Sequence, residues 1–405
     1  MKSYYISYQN KTIIFTVLMV LFFFFSGFAR LPQTKILGIQ TFVWFAASII
    51  LITPRWKTDN YPLHKITRAY TLFLLWSIPG LFMGLFAGQK DALYFYLYTA
   101  FPLCLYYGTK NKYFNLQKLL LAAQASLLLV IFLGWAIRLE FLPYNFLYSE
   151  VMQSEFKLGY WGISYLGSSR NHDYMYVFAC ASFSLYLYQR AHNKLSKAIE
   201  IIIFLLCQIT LLASLSRGAM IICILNFIIL YLSLDKGGKR AFWLFFILFL
   251  LIGGSYLYQH FGKIYSNIFK SIFGLETTSL WGGDYSNDQR KDIIKNALFH
   301  GISNPIGYGI QNYKSITGDD IASSENGYLT ILIERGWLSF YYFATFLIRI
   351  LYKIYKREIT NKDLNFYLVP ALAVYFLFNY EFTAYMCVFL FYLILISNRK
   401  DHERV

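Results

Sequence analysis

Long apolar runs recur along almost the whole chain, and they constrain it more than any other feature. A bilayer's hydrocarbon core is about 30 Å thick, so a spanning helix needs roughly 17–25 largely apolar residues. Runs of that kind occupy approximately residues 12–29, 36–53, 70–88, 92–108, 117–137, 174–190, 197–214, 216–234, 241–259, 326–352, 364–380 and 382–397. Only 14% of the 405 residues are charged, against about 25% in soluble domains. The expected fold class is an all-α polytopic membrane protein with about twelve transmembrane helices, forming a single integral membrane domain over residues 1–405. The first run is followed by "SGFA", but its length and the Arg30 behind it read as an uncleaved anchor rather than a signal peptide. The five cysteines (Cys104, Cys180, Cys207, Cys223 and Cys387) all lie inside apolar runs and form no CxxC pair. They suggest neither a disulfide framework nor a metal site.

Orientation follows from Lys and Arg, which favour cytoplasmic connections. With the N-terminus inside, the inner segments hold 22 of the 37 basic residues. Among them are Arg55, Lys57, Lys110, Lys112, Arg190, Lys194, Lys236, Lys239, Lys356 and Lys362. The outer side holds 13, mostly in two long loops. A net charge of +16 would suggest nucleic acid for a soluble chain; here it reads as topology, and no nucleic acid is expected. Arg349 lies near the inner end of its run and can snorkel. Arg335 lies deeper, beside Glu334, and either pairs locally or lines a cavity.

Two outer loops stand apart, at about 138–173 and 260–325. Connections longer than about 12–15 residues are usually functional or disordered, and these are rich in Tyr, Trp and Gly. The second contains a plausible amphipathic helix at 288–300. Arg217, in "LASLSRGAM", sits at the outer mouth of a run whose preceding connection is almost absent. Its simplest role is snorkelling to headgroups. Arg290, in "DQRKDIIKNALFHG", is most simply a solvated charge beside Asp288 and Asp292; Arg170 and His172, in "SSRNHDY", have similar plain readings. In "SSENGYLTILIERGWLSF", Glu325 and Asn326 stand at the mouth of a run. There Ser324 could cap a helix and Glu325 could be a first-turn carboxylate favoured by the helix dipole. One helix over 324–352 would be about 43 Å long. Its face through Glu325, Leu329, Leu332, Gly336 and Ser339 would be continuous by period, and Gly336 would let another helix approach closely.

Read as an ordered set, these motifs say more. "SLSRG" at a helix mouth is followed by a long outer loop with an arginine heading a helix. Then come "NPIGYG" and "EN", nine residues, and "GWLS". This order and spacing resembles the bacterial O-antigen ligase and polymerase superfamily of integral membrane glycosyltransferases. The resemblance implies an inverting, metal-independent enzyme with no cofactor, in the cytoplasmic (inner) membrane with both termini inside and its active site facing outward. Its partners would be donor and acceptor oligosaccharides linked to undecaprenyl diphosphate, membrane lipids and a chain-length regulator. Arg217 and Arg290 match positions expected to hold the diphosphate. Arginine suits that task, because it stays protonated and its fork matches phosphate oxygens. Glu325 falls where ligases of the family carry a His, which makes it the candidate catalytic residue. Arg170, Asn171, His172 and Asn326 are candidate substrate contacts.

The departure at Glu325 favours an oligosaccharide repeat-unit polymerase, whose outer loops often carry Arg-x10-Gly; Arg290 and Gly301 fit that pattern, and Arg170 does not, since residue 181 is Ala. One alternative is a ligase that transfers glycan to lipid A-core. Another is a transporter or flippase of lipid-linked sugars, which would show internal repeats and charges near the midplane. Glu334 and Arg335 are the charges that fit it. Reporter fusions test the topology. Fusions within 138–173 and 260–325 should report the outer side and both termini the inner side; a cytoplasmic signal from 260–325 would contradict it.

Overall fold

The computed structural model describes residues 65–109, 115–139, 141–142, 170–214, 216–240, 285–317, 326–379 and 385–397, together with Val17, Phe242, Trp243, Phe246, Ile247 and Leu251. Apart from Val17, the runs expected at 12–29 and 36–53, and most of 241–259, lie outside the described residues, as do most of the expected loop 138–173 and half of 260–325. Every regular element among the described residues is helical. In chain order these are α1 (Lys65–Trp76), α2 (Ile78–Phe86), α3 (Ala92–Thr109), α4 (Leu116–Arg138), α5 (Arg170–Arg190) and α6 (Lys194–Ala213). They continue with α7 (Arg217–Ser233), α8 (Tyr285–Ser303), α9 (Tyr313–Thr317), α10 (Gly327–Tyr355), α11 (Leu364–Phe378) and α12 (Tyr385–Ser397).

Four segments are long and apolar enough to cross a membrane: Lys65–Phe86, Leu116–Ile137, Lys194–Ala213 and Gly327–Tyr355. Shorter apolar helices cover Gly218–Ser233, Leu364–Phe378 and Cys387–Ser397. Twelve full-length spans are therefore more than the described helices establish. Side chains such as Leu129, Phe132, Ile202, Ile224, Leu232 and Ile348 point outward, as a lipid-facing surface requires.

α5 is buried on every side from Tyr174 to Leu187. A helix apolar all round belongs in the middle of a bundle, and α4, α6, α7, α11 and α12 pack around it. Polar side chains fasten the bundle. The Gln124 amide donates to Ser184 Oγ (2.9 Å) and Glu200 Oε2 (2.7 Å), tying α4 to α5 and α6. Trp135 donates to Thr210 (2.9 Å). In hydrocarbon such interhelical bonds are worth about 0.6 kcal/mol on average.

Aromatic rings fill the junction of α1, α10, α11 and α12. Tyr70 packs on Phe346 (5.0 Å between centroids), Phe73 on Phe343 (5.2 Å), and Phe376 stacks on Phe391 (5.9 Å). Many of the aromatic side chains are thus part of the core. At one end of the bundle Arg190 donates to the Lys362 carbonyl (3.1 Å), and Asn361 to that of Ser233 (2.9 Å). The basic ends of α5 and α10 and the starts of α6 and α11 gather there.

Two expected helices are broken. The run at 70–88 divides at Ser77, because Pro79 can donate no backbone bond and Ser77 Oγ returns to the Phe73 carbonyl (2.8 Å). The helix expected over 324–352 begins instead at Gly327 and is interrupted at Gly336, with φ 82° and ψ 178°. Its period-based face through Gly336 and Ser339 is therefore not continuous. Gly336 does admit close approach, but of a loop: a Cβ there would lie 2.5 Å from the Ile306 carbonyl carbon and also strike the Pro305 oxygen. Only glycine combines this positive φ with this contact. Gly336→Ala should therefore destabilise the fold by at least the roughly 1–3 kcal/mol typical of a strained backbone. Thermal unfolding of the purified protein in detergent checks this; an unchanged midpoint would contradict it.

Candidate functional site

The "SLSRG" motif (residues 214–218) builds a tight junction between α6 and α7, the mouth of the helix pair. Ser214 Oγ donates to the Leu211 carbonyl (2.7 Å), and the Ser216 amide returns to Ser214 Oγ (3.4 Å). Ser216 takes the N-cap position of α7 and Arg217 is its first residue. Gly218 lets α7 pack closely: a Cβ would collide with the Tyr174 hydroxyl of α5 and lie 3.2 Å from Phe378 Cβ of α11. Arg217 is thereby held by a short turn on one side and a close helix junction on the other.

The same end gathers other helix termini. Tyr174 OH accepts from Asn379 Nδ2, just beyond α11, and Tyr174 lies one turn from Arg170, the first residue of α5. Asn326 caps α10, its Oδ1 accepting from the amides of Tyr328 (3.0 Å) and Leu329 (3.1 Å). Its Nδ2 donates to the Leu377 carbonyl of α11 (3.0 Å). The cap is therefore Asn326 and not Ser324, and Glu325 precedes the cap in sequence rather than entering the first turn. The N-termini of α5, α7 and α10 thus meet around the C-terminus of α11. Helix N-termini carry partial positive charge and unpaired N–H groups, which favour anions.

α8, whose helix spans three residues more at each end than the expected 288–300, packs on the first turns of α10. Ile293 and Ala297 form a buried cluster with Tyr313 and Ile333, with Leu329 at its edge. The Trp337 indole donates to the Gly301 carbonyl (2.8 Å), and a Cβ on Gly301 would meet Leu332 Cδ2 at 2.8 Å. Gly301 of Arg-x10-Gly is therefore where α8 docks, and Arg290 stands about 16 Å away along the helix axis at 1.5 Å per residue.

"NPIGYG" (304–309) packs its backbone against the break in α10. The amides of Tyr308 and Gly309 donate to the carbonyls of Ile333 (2.7 Å) and Glu334 (3.1 Å), and the Trp337 amide donates to that of Pro305 (3.0 Å). Ile310 donates to the Gly80 carbonyl of α2 (2.9 Å). Gly80 and Gly84 leave room: a Cβ on Gly80 would lie 2.6 Å from the Glu334 oxygen, and one on Gly84 2.5 Å from that of Ile310. The G-x-x-x-G spacing in "PGLFMG" was the available sequence signal for this junction.

Glu334 and Arg335 are both buried at the break. Arg335 Nη1 donates to Thr99 Oγ1 (3.0 Å), and its guanidinium lies 5.5 Å from the Phe73 ring centre. The Gln311 backbone amide faces the Glu334 carboxylate, whose Oε1 has no hydrogen-bond partner among the described residues. Arg335 is thus tied to α3 and α1 rather than exposed in a passage.

The structure therefore brings together the backbones of Arg170, Asn171, His172 and Arg217 with Asn326, and sets the helix bearing Arg290 against α10. The side chains of Arg170, Asn171, His172, Arg217 and Arg290, and the whole of Glu325, lie outside the described residues. Among those described, no group of three His, Cys, Asp or Glu side chains could hold a metal ion.

Residues 201–344 match the O-antigen ligase family model. The matched segment runs from α6 to the middle of α10, so it contains Arg217, Arg290, "NPIGYG", the Asn326 cap and the Gly336 break. It indicates a glycosyltransferase-like enzyme of O-antigen processing in an integral membrane protein. No curated protein and no solved structure matches the chain.

The cap yields a stability test. Asn326→Ala removes the cap and the bond to Leu377, and should cost about 0.5–2 kcal/mol. Asn326→Asp keeps the cap oxygen and should cost less. Equal unfolding midpoints for wild type and Asn326→Ala would contradict the capping role.

Proposed function

We propose that the chain is a polysaccharide polymerase. It joins oligosaccharide repeat units carried on undecaprenyl diphosphate at the outer face of the cytoplasmic membrane, without a metal and with inversion at the transferred sugar. The observation that carries this reading is the meeting of three helix N-termini, one of them headed by Arg217 and two of them within the residues that match the O-antigen ligase family model. The basic ends of α5 and α10 gather at the other end of the bundle, which is assigned to the cytoplasm.

In the proposed reaction, the acceptor sugar's hydroxyl oxygen attacks the anomeric carbon of the donor glycan. The new glycosidic bond forms as the bond to the carrier diphosphate breaks. The diphosphate leaves with the bonding electrons, and the hydroxyl proton passes to Glu325 or through it to water. Arg217 and Arg290 neutralise the charge that builds on the leaving diphosphate. Preorganised charges in a partly dry cleft do this better than bulk water. A carboxylate of ordinary pKa, about 4.3, is a weak base, so Glu325 acts chiefly by orienting the hydroxyl. Asn326 has both ends of its amide engaged with protein, so a sugar contact there would share those bonds.

A ligase that moves finished glycan to lipid A-core is the second reading, favoured by the description of the matched family. Glu325 at the His position favours the polymerase. The two differ in what accumulates on inactivation. Loss of a polymerase leaves single repeat units on the final acceptor, whereas loss of a ligase leaves long glycan on the carrier. Arg217→Lys and Arg290→Lys keep the charge but lose the fork. Each should cut polymer formation by about 10- to 150-fold, the equivalent of about 1.5–3 kcal/mol for a charge-assisted hydrogen bond. Glu325→Gln should fold normally and leave single repeat units. Full-length polymer from these variants at normal protein levels would refute the assigned roles.

A further inference from the structure

Residues 285–312 were expected to belong to an aqueous outer loop, yet their surface is apolar on two sides. One side of α8, through Ile293, Ala297 and Gly301, is buried against α10. The other carries Ile294, Leu298, Phe299 and Ile302, and Ile306 follows in the turn; all are exposed, Phe299 to 70% and Ile302 to 61%. Most of the polar residues of the helix lie towards its start, in "YSNDQRKD"; Lys295, Asn296, His300 and Ser303 follow among the apolar ones. A helix standing in water would not expose such a patch without a partner.

The patch continues onto a surface that must face lipid. The Trp337 indole joins Gly301, and Trp337, Leu338 and Tyr341 are exposed on α10 beside it. α2, on the other side of the turn, exposes Phe82, Met83 and Phe86. Depth agrees. α10 is 29 residues, or about 43 Å at 1.5 Å per residue. Centring a hydrocarbon core of about 30 Å on it leaves an overhang of about 7 Å at each end, and places Gly336, about 14 Å along, some 7 Å inside the core.

Irregular backbone at that depth is tolerated only when its polar groups are paired within the protein. The turn meets that demand. Pro305 has no N–H. Ile306 donates to Asn304 Oδ1 (3.1 Å). Gly307 donates to Asn304, Tyr308 to Ile333, Gly309 to Glu334, Ile310 to Gly80 and Asn312 to Gly309, all through backbone carbonyls. The remaining donor, on Gln311, faces the buried Glu334 carboxylate. The chain then returns, and Tyr313 packs in the same cluster as Ile293 and Ala297.

We propose that residues 285–312 form a re-entrant segment whose exposed face, Ile294, Leu298, Phe299, Ile302 and Ile306, is covered by acyl chains of the leaflet nearest the start of α10. α8 enters that leaflet at its polar end and descends to the turn. Arg290 is thereby held at headgroup depth while Gly301 anchors below it. The inference needs the membrane setting and not the polymerase assignment, so either can fail without the other.

Spin labels test it in the full-length protein in lipid vesicles, with Cys104→Ser removing the exposed native thiol. Labels at Phe299→Cys, Ile302→Cys and Ile306→Cys are compared with Ile348→Cys on exposed α10 and Asp292→Cys near the polar end of α8. Oxygen concentrates in hydrocarbon and a nickel chelate in water. The oxygen-to-nickel accessibility ratio at the three positions should match Ile348 and exceed Asp292 several-fold. High nickel accessibility there would mean an aqueous helix, and low accessibility to both would mean a protein cover; either overturns the proposal. Photolabelling the unsubstituted protein with a bilayer-dissolved diazirine needs no variant. It should mark peptides within 285–312, and their absence from the labelled set would count equally against it.

Discussion

The arrangement depends on one constraint: backbone polar groups inside a membrane must find partners in the protein. α10 breaks at Gly336, and a break frees amides and carbonyls that a continuous helix would pair. "NPIGYG" supplies what the break lacks and receives in return what its own irregular backbone needs, through the Tyr308, Gly309 and Trp337 amides. Neither segment would be stable at this depth without the other. Gly80, Gly84, Gly307, Gly309 and Gly336 are the residues whose missing side chains make the three-way contact possible. α8 is fixed to α10 by this lock, and the position of Arg290 follows from it.

A second consequence concerns charge. Glu334 and Arg335 are opposite charges on adjacent residues, one turned towards the re-entrant turn and the other towards Thr99 and Phe73. Burying charges is costly unless they are compensated by pairing and hydrogen bonds. Here Arg335 binds α10 to α3 and α1, and Glu334 lies beside the turn. This gives them a structural task where the sequence alone left a transport role open. The mouth end has a different electrostatic character: helix N-termini, arginines and no buried carboxylate among the described residues, a setting suited to a diphosphate.

Much of the helical framework was legible in the sequence. The runs at 92–108, 117–137 and 174–190 lie within helices that extend them by no more than four residues at either end, because apolar runs of spanning length leave few alternatives. The fixed position of Arg217 was also legible, from the near absence of a connection between α6 and α7. The break at Gly336 was not. Hydropathy continues smoothly through "LIERGWL", and a glycine in such a run reads as a packing site; its positive φ goes with a partner, Pro305 and Ile306, about 30 residues away in sequence. The cap at Asn326 was missed because Ser324 also satisfies the local rule. The amphipathic helix at 288–300 was legible, but its second apolar face, through Ile294, Leu298, Phe299 and Ile302, was not, because one buried face already accounts for an amphipathic pattern.

The central claim is that this chain itself lengthens glycan on a lipid diphosphate. Purified full-length protein in lipid vesicles, supplied only with repeat units linked to undecaprenyl diphosphate, tests it directly. The account predicts a ladder of products rising by one repeat unit, still bound to the carrier, with free undecaprenyl diphosphate released in step. Unchanged single-unit substrate, or transfer only after lipid A-core is added, would contradict it.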